Sequence, residues 1–309
     1  NNIPTSKFEI FEDLSKTLNY LHKCSFPLVV KADGLASGKG VYICKNFDDA
    51  KIASEEIFNG KFGSAKQILI EEFLEGEEMS YFIVTDGINY KFFGSAQDHK
   101  RVGEGDTGKN TGGMGCYSPS RLLSEDLELK IKTKIIEPTL NAINKSGGVY
   151  KGFLYVGLMI KNDEPFLIEF NVRMGDPECQ TILPTLKTDL MDIFLSCCDG
   201  TLNLTNINFS RTKSVCIVLC SKGYPVEFEN NIEIKDLEKL KLLKNQNIFH
   251  AGTLKTKNGF ISNGGRVLNF VSTSDDFLKC RDETINLIKK LNWKNGYFRR
   301  DIGYKVIKI

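Results

Sequence analysis

The sequence predicts an α+β fold in which antiparallel strand pairs stand apart from helices. Three patterns carry this expectation. Phe26 to Ala32 and Val41 to Cys44 are β-type runs joined by a small-residue loop, Asp33 to Gly40, which makes a hairpin. Residues 80–96 and 152–171 repeat the theme, with turn chemistry at Asp86-Gly87 and at Lys161-Asn162-Asp163-Glu164. Segments with helical spacing lie between these pairs, so strands and helices segregate.

Taken in order, Phe8 to Tyr20, with apolar residues at Leu14, Leu18 and Leu21, predicts a short helix. After the first hairpin, Phe47, Ala50, Ala53, Ile57 and Phe58 recur at helical spacing, and Gly60 is placed to end that helix. Residues 68–74 read as a strand running into Glu75-Gly76. Residues 97–118 are rich in glycine and charge but poor in apolar side chains, which predicts a mobile loop able to close as a lid. Ser124 to Ser146 reads as a long helix opened by Ser-Glu-Asp, with Pro138 kinking or dividing it. Leu190, Ile193, Phe194 and Cys197 form one buried helix face that ends at Gly200. Composition then turns polar over 201–212, and a domain boundary is placed near residue 210. A second unit follows, with strands near 214–220, 248–254 and 265–272 and a helix from about Asp275 to Leu291.

Composition excludes several classes of function. With 41 basic against 39 acidic side chains, a net charge of +2 supplies no global field toward nucleic acid or a membrane surface. No apolar run approaches the roughly 18 residues of a membrane span. Nine cysteines without a C-x-x-C, beside three histidines, read as small buried side chains in a reducing cytoplasm rather than as a zinc or disulfide framework. The chain opens Asn1-Asn2-Ile3 without Met and without a signal-like segment, so either processing or missing residues in front of it are expected.

Two tempting motifs fail on context. Gly34-Leu35-Ala36-Ser37-Gly38-Lys39-Gly40 has three residues between its glycines, and a strand follows where a P-loop needs four residues and then a helix. What survives is a glycine flap carrying Lys39, with Lys31 at the end of the preceding strand, suited to phosphate oxygens. Gly103 to Gly108 matches G-x-G-x-x-G, yet the glycine-rich residues after it cannot open the helix that a dinucleotide site requires. The segment is better read as the lid loop, with Asp98, His99, Lys100 and Arg101 near its start.

The strongest constellation is Phe166 to Arg173. Strict alternation puts Ile168, Phe170 and Val172 on an apolar face and Leu167, Glu169, Asn171 and Arg173 on the other. Glu and Asn oxygens are hard ligands suited to Mg²⁺ held with phosphates, and Arg can grip a phosphoryl or carboxylate oxygen. Asp176 and Glu178 follow at a tight turn, which favours a site over a merely solvated strand face.

KADGLASGKG (31–40), EEFLEGEE (71–78), QDHKRVGEGDTGKNTGGMG (97–115), IEFNVRMGDPECQ (168–180), HAGT (250–253) and NGGRVL (263–268) together resemble the phosphoribosylamine-glycine ligase family of ATP-grasp enzymes. The resemblance covers essentially the whole chain. It implies an ATP-grasp domain over 1–209, with a lid subdomain at about 4–70 and a core at about 71–209, in which two antiparallel sheets clamp ATP. A small mixed α/β C-terminal domain would occupy 210–309, and the family's N-terminal domain would be absent.

It further implies a nucleotide site of Lys31, Gly38, Lys39, Gly40, the hinge Glu71, Glu72, Phe73 and Leu74, and Glu78 for the ribose. Glu169 and Asn171 would be ligands of Mg²⁺ or Mn²⁺. Arg173, Lys100 and Arg101 would neutralise charge during catalysis, and Asp98, His99, Asp176 and Glu178 would meet the substrates. Gly157 stands where other ATP-grasp relatives carry an acidic ligand, which leaves two side-chain ligands. The implied reaction joins glycine to 5-phosphoribosylamine at the expense of ATP, through glycyl phosphate, in a cytoplasmic monomer without nucleic-acid or membrane partners. The alternatives are a nucleotide-binding module of little turnover, because the N-terminal domain is missing, or another purine-pathway ATP-grasp ligase.

Overall fold

The structure is a computed structural model, and it describes residues 1–34, 40–63, 65–291 and 293–307. The first layer is a four-stranded antiparallel sheet of β1 (Phe8–Phe11), β2 (Leu28–Ala32), β3 (Val41–Cys44) and β4 (Ile68–Glu72), in the order β1-β4-β2-β3. Helices α1 (Leu14–Leu21) and α2 (Phe47–Phe58) cover one face, where Leu28, Val30, Ile68 and Ile70 meet Ala50, Ala53 and Ile57. The helix expected from Phe8 begins only at Leu14. Asp13 caps it by accepting the Lys16 N–H at 2.8 Å, while Phe8–Phe11 pairs with β4 as an edge strand. Phe8 and Ile10 alternate outward at about half exposure, a strand pattern that the leucines downstream concealed.

The second layer is a nine-stranded antiparallel sheet. Its first part contains β5 (Glu77–Thr85), β6 (Tyr90–Asp98), β9 (Gly115–Ser118), β10 (Gly152–Lys161) and β11 (Glu164–Asn171), while β7 (Arg101–Gly103) and β8 (Thr107–Asn110) form a separate hairpin. The segment 97–118 is therefore not the open loop expected from its composition. Backbone ladders need no apolar side chains, and glycine permits close strands: a Cβ on Gly115 would stand 2.6 Å from the Cys216 carbonyl. The helix after Ser124 divides into α3 (Glu125–Ile131), a π-turn over Lys132–Ile136 and α4 (Glu137–Lys145), so the break falls just before Pro138. Next come α5 (Glu178–Ile182) and α6 (Leu190–Asp199), the latter closed by Gly200 at φ 72°. Phe194 leaves the buried face expected of it and is 39% exposed.

The same sheet continues through β12 (Lys213–Ser221), which pairs with β9, as in Tyr117 with Val215. Strands β14 (Gln246–His250), β17 (Arg266–Ser274) and β18 (Gly296–Tyr297) complete it, and α7 (Phe277–Lys289) packs on it. The strand expected over 248–254 breaks at Ala251-Gly252, since β15 (Thr253–Thr256) joins β13 (Glu233–Ile234) and β16 (Gly259–Ser262) in a small sheet of its own. No helix among the described residues is long and apolar enough to cross a membrane.

Candidate active site

Four adjacent strands, β11-β10-β5-β6, carry the site on one face. Glu78 and Ser80 on β5, Asp98 at the end of β6, Lys100 just beyond it, Tyr155 on β10 and Glu169 on β11 line one cavity. Register sets a row across the sheet, because Gly157 lies opposite Ser80 on one side and Glu169 on the other. A Cβ on Gly157 would stand 3.1 Å from the Tyr155 ring and 3.3 Å from Glu169 Cγ, so the glycine leaves room for the Glu169 carboxylate.

Simple alternation does not survive in β11. The β10–β11 register shifts between Gly157, opposite Glu169, and Leu158, opposite Leu167. The extra residue, Ile168, turns into the cavity beside Glu169, while Leu167 packs into the core with Phe170. Val172, expected on the core face, is 75% exposed. A bulge re-aims side chains in this way, and it is the reason Glu169 and Asn171 share the cleft while Leu167 does not.

Asn171 Nδ2 donates to Glu169 Oε1 at 3.0 Å, which orients the two side chains together. The Asn171 carbonyl oxygen and the rest of the Glu169 carboxylate remain as hard oxygen donors, and Glu169 is open to solvent. Two such donors fit a small divalent cation that takes its other ligands from water and phosphates. Among the described residues no group of three or more His, Cys, Asp and Glu gathers to hold a metal by itself.

Opposite, Lys100 Nζ lies 2.5 Å from Glu78 Oε2. Burial works against the ammonium, but Glu78, with Tyr155 and Asp98 behind it, raises the Lys100 pKa and keeps it charged. Glu178 is buried at the start of α5 and accepts a hydrogen bond from Ser80 Oγ at 3.0 Å. Burial raises its pKa, and burial followed by repulsion from Glu178 raises that of Asp98, whose Oδ1 is buried without a partner.

The four-stranded sheet places Lys31 Nζ 2.6 Å from Glu71 Oε2, which also accepts Ser6 Oγ at 3.0 Å. Glu72 is engaged by Lys7 through both backbone and side chain. Phe73 and Leu74 make no backbone hydrogen bond to another described residue, so their peptide groups are open to a ligand. The Gly40 carbonyl accepts the Ala32 N–H at 2.9 Å, and Gly38 and Lys39 lie outside the described residues.

Among the expected site residues, His99, Arg101, Arg173 and Asp176 are engaged away from the cavity. His99 is turned through the sheet and packs between Tyr117 and Tyr304, where its Nε2 accepts the Gly303 N–H at 3.2 Å. Burial, then the charge of Arg299, lowers its pKa to about 4, so it is a neutral core histidine packed away from the cavity. Arg101 donates to the Gly108 carbonyl across the β7–β8 hairpin, and Arg173 is exposed and donates to the Met174 carbonyl. Asp176 is paired with Arg266 at 3.0 Å. Conversely, Ser80 and Tyr155 were not anticipated, although Ser80 stands two residues from Glu78 on a strand and so must share its face.

Two antiparallel sheets, one bearing a Lys–Glu pair and a free hinge, the other a carboxylate–carboxamide pair facing a second Lys–Glu pair, define an ATP-grasp enzyme. Residues 1–179 match the family model of the phosphoribosylglycinamide synthetase ATP-grasp (A) domain, and 214–305 match the C domain of the same synthetase. The chain belongs to the phosphoribosylglycinamide synthetase, or phosphoribosylamine–glycine ligase, family of ATP-dependent ligases.

It is 42% identical to the chloroplastic phosphoribosylamine–glycine ligase of Arabidopsis thaliana over 99% of its own length, spanning 59% of that protein. It is 41% identical to the Haemophilus influenzae enzyme over 100% of its length, spanning 72% of that one. The crystal structure of the Thermotoga maritima ligase superposes with a TM-score of 0.88 at 33% identity, covering 97% of this chain and 75% of the other. A biotin carboxylase domain from Hydrogenobacter thermophilus, solved with MgADP and bicarbonate, shares the fold at 14% identity and a TM-score of 0.71 over 96% of this chain and 64% of its own.

Proposed function

We propose that this chain ligates glycine to 5-phosphoribosylamine at the expense of ATP, giving glycinamide ribonucleotide, ADP and phosphate. The observation that carries the reading is the Glu169–Asn171 pair set over Gly157 and facing Lys100–Glu78, in a chain similar over its whole length to ligases of that name. A carboxylate is a poor electrophile because its leaving group would be oxide. Transfer of the γ-phosphoryl group to a glycine carboxylate oxygen breaks the bond to ADP and creates a good leaving group. The amine nitrogen of phosphoribosylamine then attacks the acyl carbon, phosphate departs and the amine loses a proton.

The protein needs no covalent nucleophile; it contributes alignment, charge and exclusion of water. Lys31 would approach the phosphates from the lid, the free peptide groups of Phe73 and Leu74 would read the base, and Glu78 would meet the ribose hydroxyls. Lys100 would supply fixed positive charge where phosphoryl oxygens pass. Glu169 and Asn171 would hold Mg²⁺ or Mn²⁺, which when bound neutralises phosphate charge. The division of the chain near residue 210 belongs to the same reading, supported by family-model bounds at 179 and 214. Nine free cysteines support a reducing compartment such as the cytoplasm, and the small net charge supports a role without nucleic-acid or membrane partners.

The test is ADP release with glycine and freshly made phosphoribosylamine, each omitted in turn, for this chain and for one extended to the length of the Haemophilus relative. Release that requires both substrates is expected, and release indifferent to glycine would sink the ligase reading. Glu169→Ala is expected to abolish turnover, on the order of a 10³-fold loss or more, with the thermal midpoint unchanged. Retained activity in that variant would refute the ligand assignment.

A further inference from the structure

Two motifs, HAGT and NGGRVL, have no place in the chemistry above, yet the structure uses both to build one contact. Gly252 and Gly264 pack backbone to backbone: a Cβ on Gly252 would stand 2.8 Å from Gly264 Cα and 2.6 Å from the Arg266 carbonyl, to which the Gly252 N–H donates at 2.9 Å. Gly265 makes room for Tyr224, since its Cβ would fall 2.2 Å from that ring. The outcome of this glycine packing is the placement of Arg266 and Tyr224 at the edge of the second unit.

From there both reach the segments behind the reaction site. Arg266 Nη1 donates to the Gly112 carbonyl at 2.6 Å and to the Asp176 carbonyl at 2.7 Å, and its Nη2 donates to Asp176 Oδ2 at 3.0 Å. The Gly112 N–H donates to the Tyr224 hydroxyl at 3.0 Å, so both polar groups flanking that glycine are held. The next residue, Gly113, is wedged between Pro177 and Asp98, since a Cβ there would lie 2.7 Å from Pro177 Cδ and 2.8 Å from Asp98 Oδ1. Glu178 follows directly and is held by Ser80 in the cavity wall. A single planar fork thus ties together the segments that carry Asp98 and Glu178, a geometry that lysine, with one ammonium, cannot reproduce.

We infer that Arg266, seated by Tyr224 and the glycines of the two motifs, is a positioning residue through which the C-terminal unit fixes the Asp98 and Glu178 wall of the acceptor side of the cleft. It acts on the second half-site and not on the nucleotide, whose contacts come from the lid, the hinge and Glu78. The inference rests on the ligase reading for its kinetic consequence, but its structural part can be tested separately.

Arg266→Ala and Arg266→Lys are measured in the chain that shows full turnover. Both are expected to lower kcat on the order of 10²-fold, with KM for ATP within about twofold of the parent, because misplacement by about 1 Å has that effect. Amide hydrogen exchange should accelerate at 111–115 and 175–180 alone, with the thermal midpoint kept. Turnover within about threefold of the parent in both variants, or a KM for ATP that rises in step with the loss, overturns the inference. A parent chain that releases no ADP with both substrates defeats the ligase reading instead. The exchange pattern then decides the brace, and unchanged exchange at 111–115 would refute it.

Discussion

Two pairs of carboxylates, one drawing Asp106 and the other Asp98 from the segment 97–110, differ in cover and in partner. Asp106 and Asp301 share the fully buried guanidinium of Arg299, with Nη1 to Asp106 at 2.8 Å and Nε and Nη2 to Asp301 at 2.8 and 2.7 Å. Burial opposes the charge on Asp106, but Arg299 and the Tyr304 hydroxyl overcome it and lower its pKa to about 2. Asp98 and Glu178 have no ion-pair partner within 4 Å among the described residues, and both pKa values are raised. The partly exposed pair is locked as charges by its cation, and the deeply buried pair, without one, is pushed toward the protonated form. The difference teaches where the fold spends a cation: the paired set fastens the β7–β8 hairpin to the C-terminal segment, and the unpaired set lines the cleft.

The largest effect is expected from removing the cation that distinguishes the pairs. Arg299→Met leaves two partly buried carboxylates facing each other and should cost about 3 kcal/mol, read from the urea midpoint. A loss under about 1 kcal/mol would mean the hairpin is held by other contacts. His99, between the two sets, comes next. Its folded pKa of about 4 lies below the unfolded 6.5, so the unfolded chain binds the extra proton and stability falls as pH drops from 6.5 to about 4, by about 3 kcal/mol. His99→Gln should flatten that slope in thermal melts.

Asp106 acts in the same direction at lower pH, because its lowered pKa gives stability that is complete above 3.8 and lost as pH falls through about 2, about 1 kcal/mol once solvent screening of its partly exposed carboxylate is counted. Glu178 has the opposite sign. With its folded pKa raised, its contribution is complete below the ordinary carboxylate range and is lost as pH rises through the folded pKa. Glu178→Gln, which mimics the protonated form, should therefore gain stability over the parent as pH rises, read as the difference in thermal midpoint at pH 5 and at pH 8. An equal shift at both values would show that Glu178 ionises without cost.

Much of this site was legible in the residues. Glu169 and Asn171 stand two apart on a strand and had to share a face, and Lys31 ends the strand that leads into the glycine flap. The motif resemblance at 34–40 fails on spacing and context, and the one at 103–108 fails on context, since no helix can follow it. The errors share a cause. His99 belongs to a run of four charged or polar residues, and local polarity cannot say that every second one crosses to the far side of the sheet. Composition made 97–118 a loop, although Gly115–Ser118 is a buried strand held by partners a hundred residues later. Arg101 and Arg173 carry suitable charge, but each is engaged with a neighbouring carbonyl.

The sequence by itself determined the strand pairs, the helices with caps, the hard-oxygen pair at 169 and 171, and the family. These depend on periods of two and 3.6 residues and on turn chemistry, which act over short distances along the chain. Only the tertiary structure decided that a bulge at Ile168 turns Leu167 away from the cleft, that Arg299 fastens the hairpin and that Arg266 crosses from the second unit to the first. The bulge depends on the pairing register of β10 with β11, and the two arginine contacts on charges brought together across 90 or more residues, where burial sets the value of a charge and no local pattern records it.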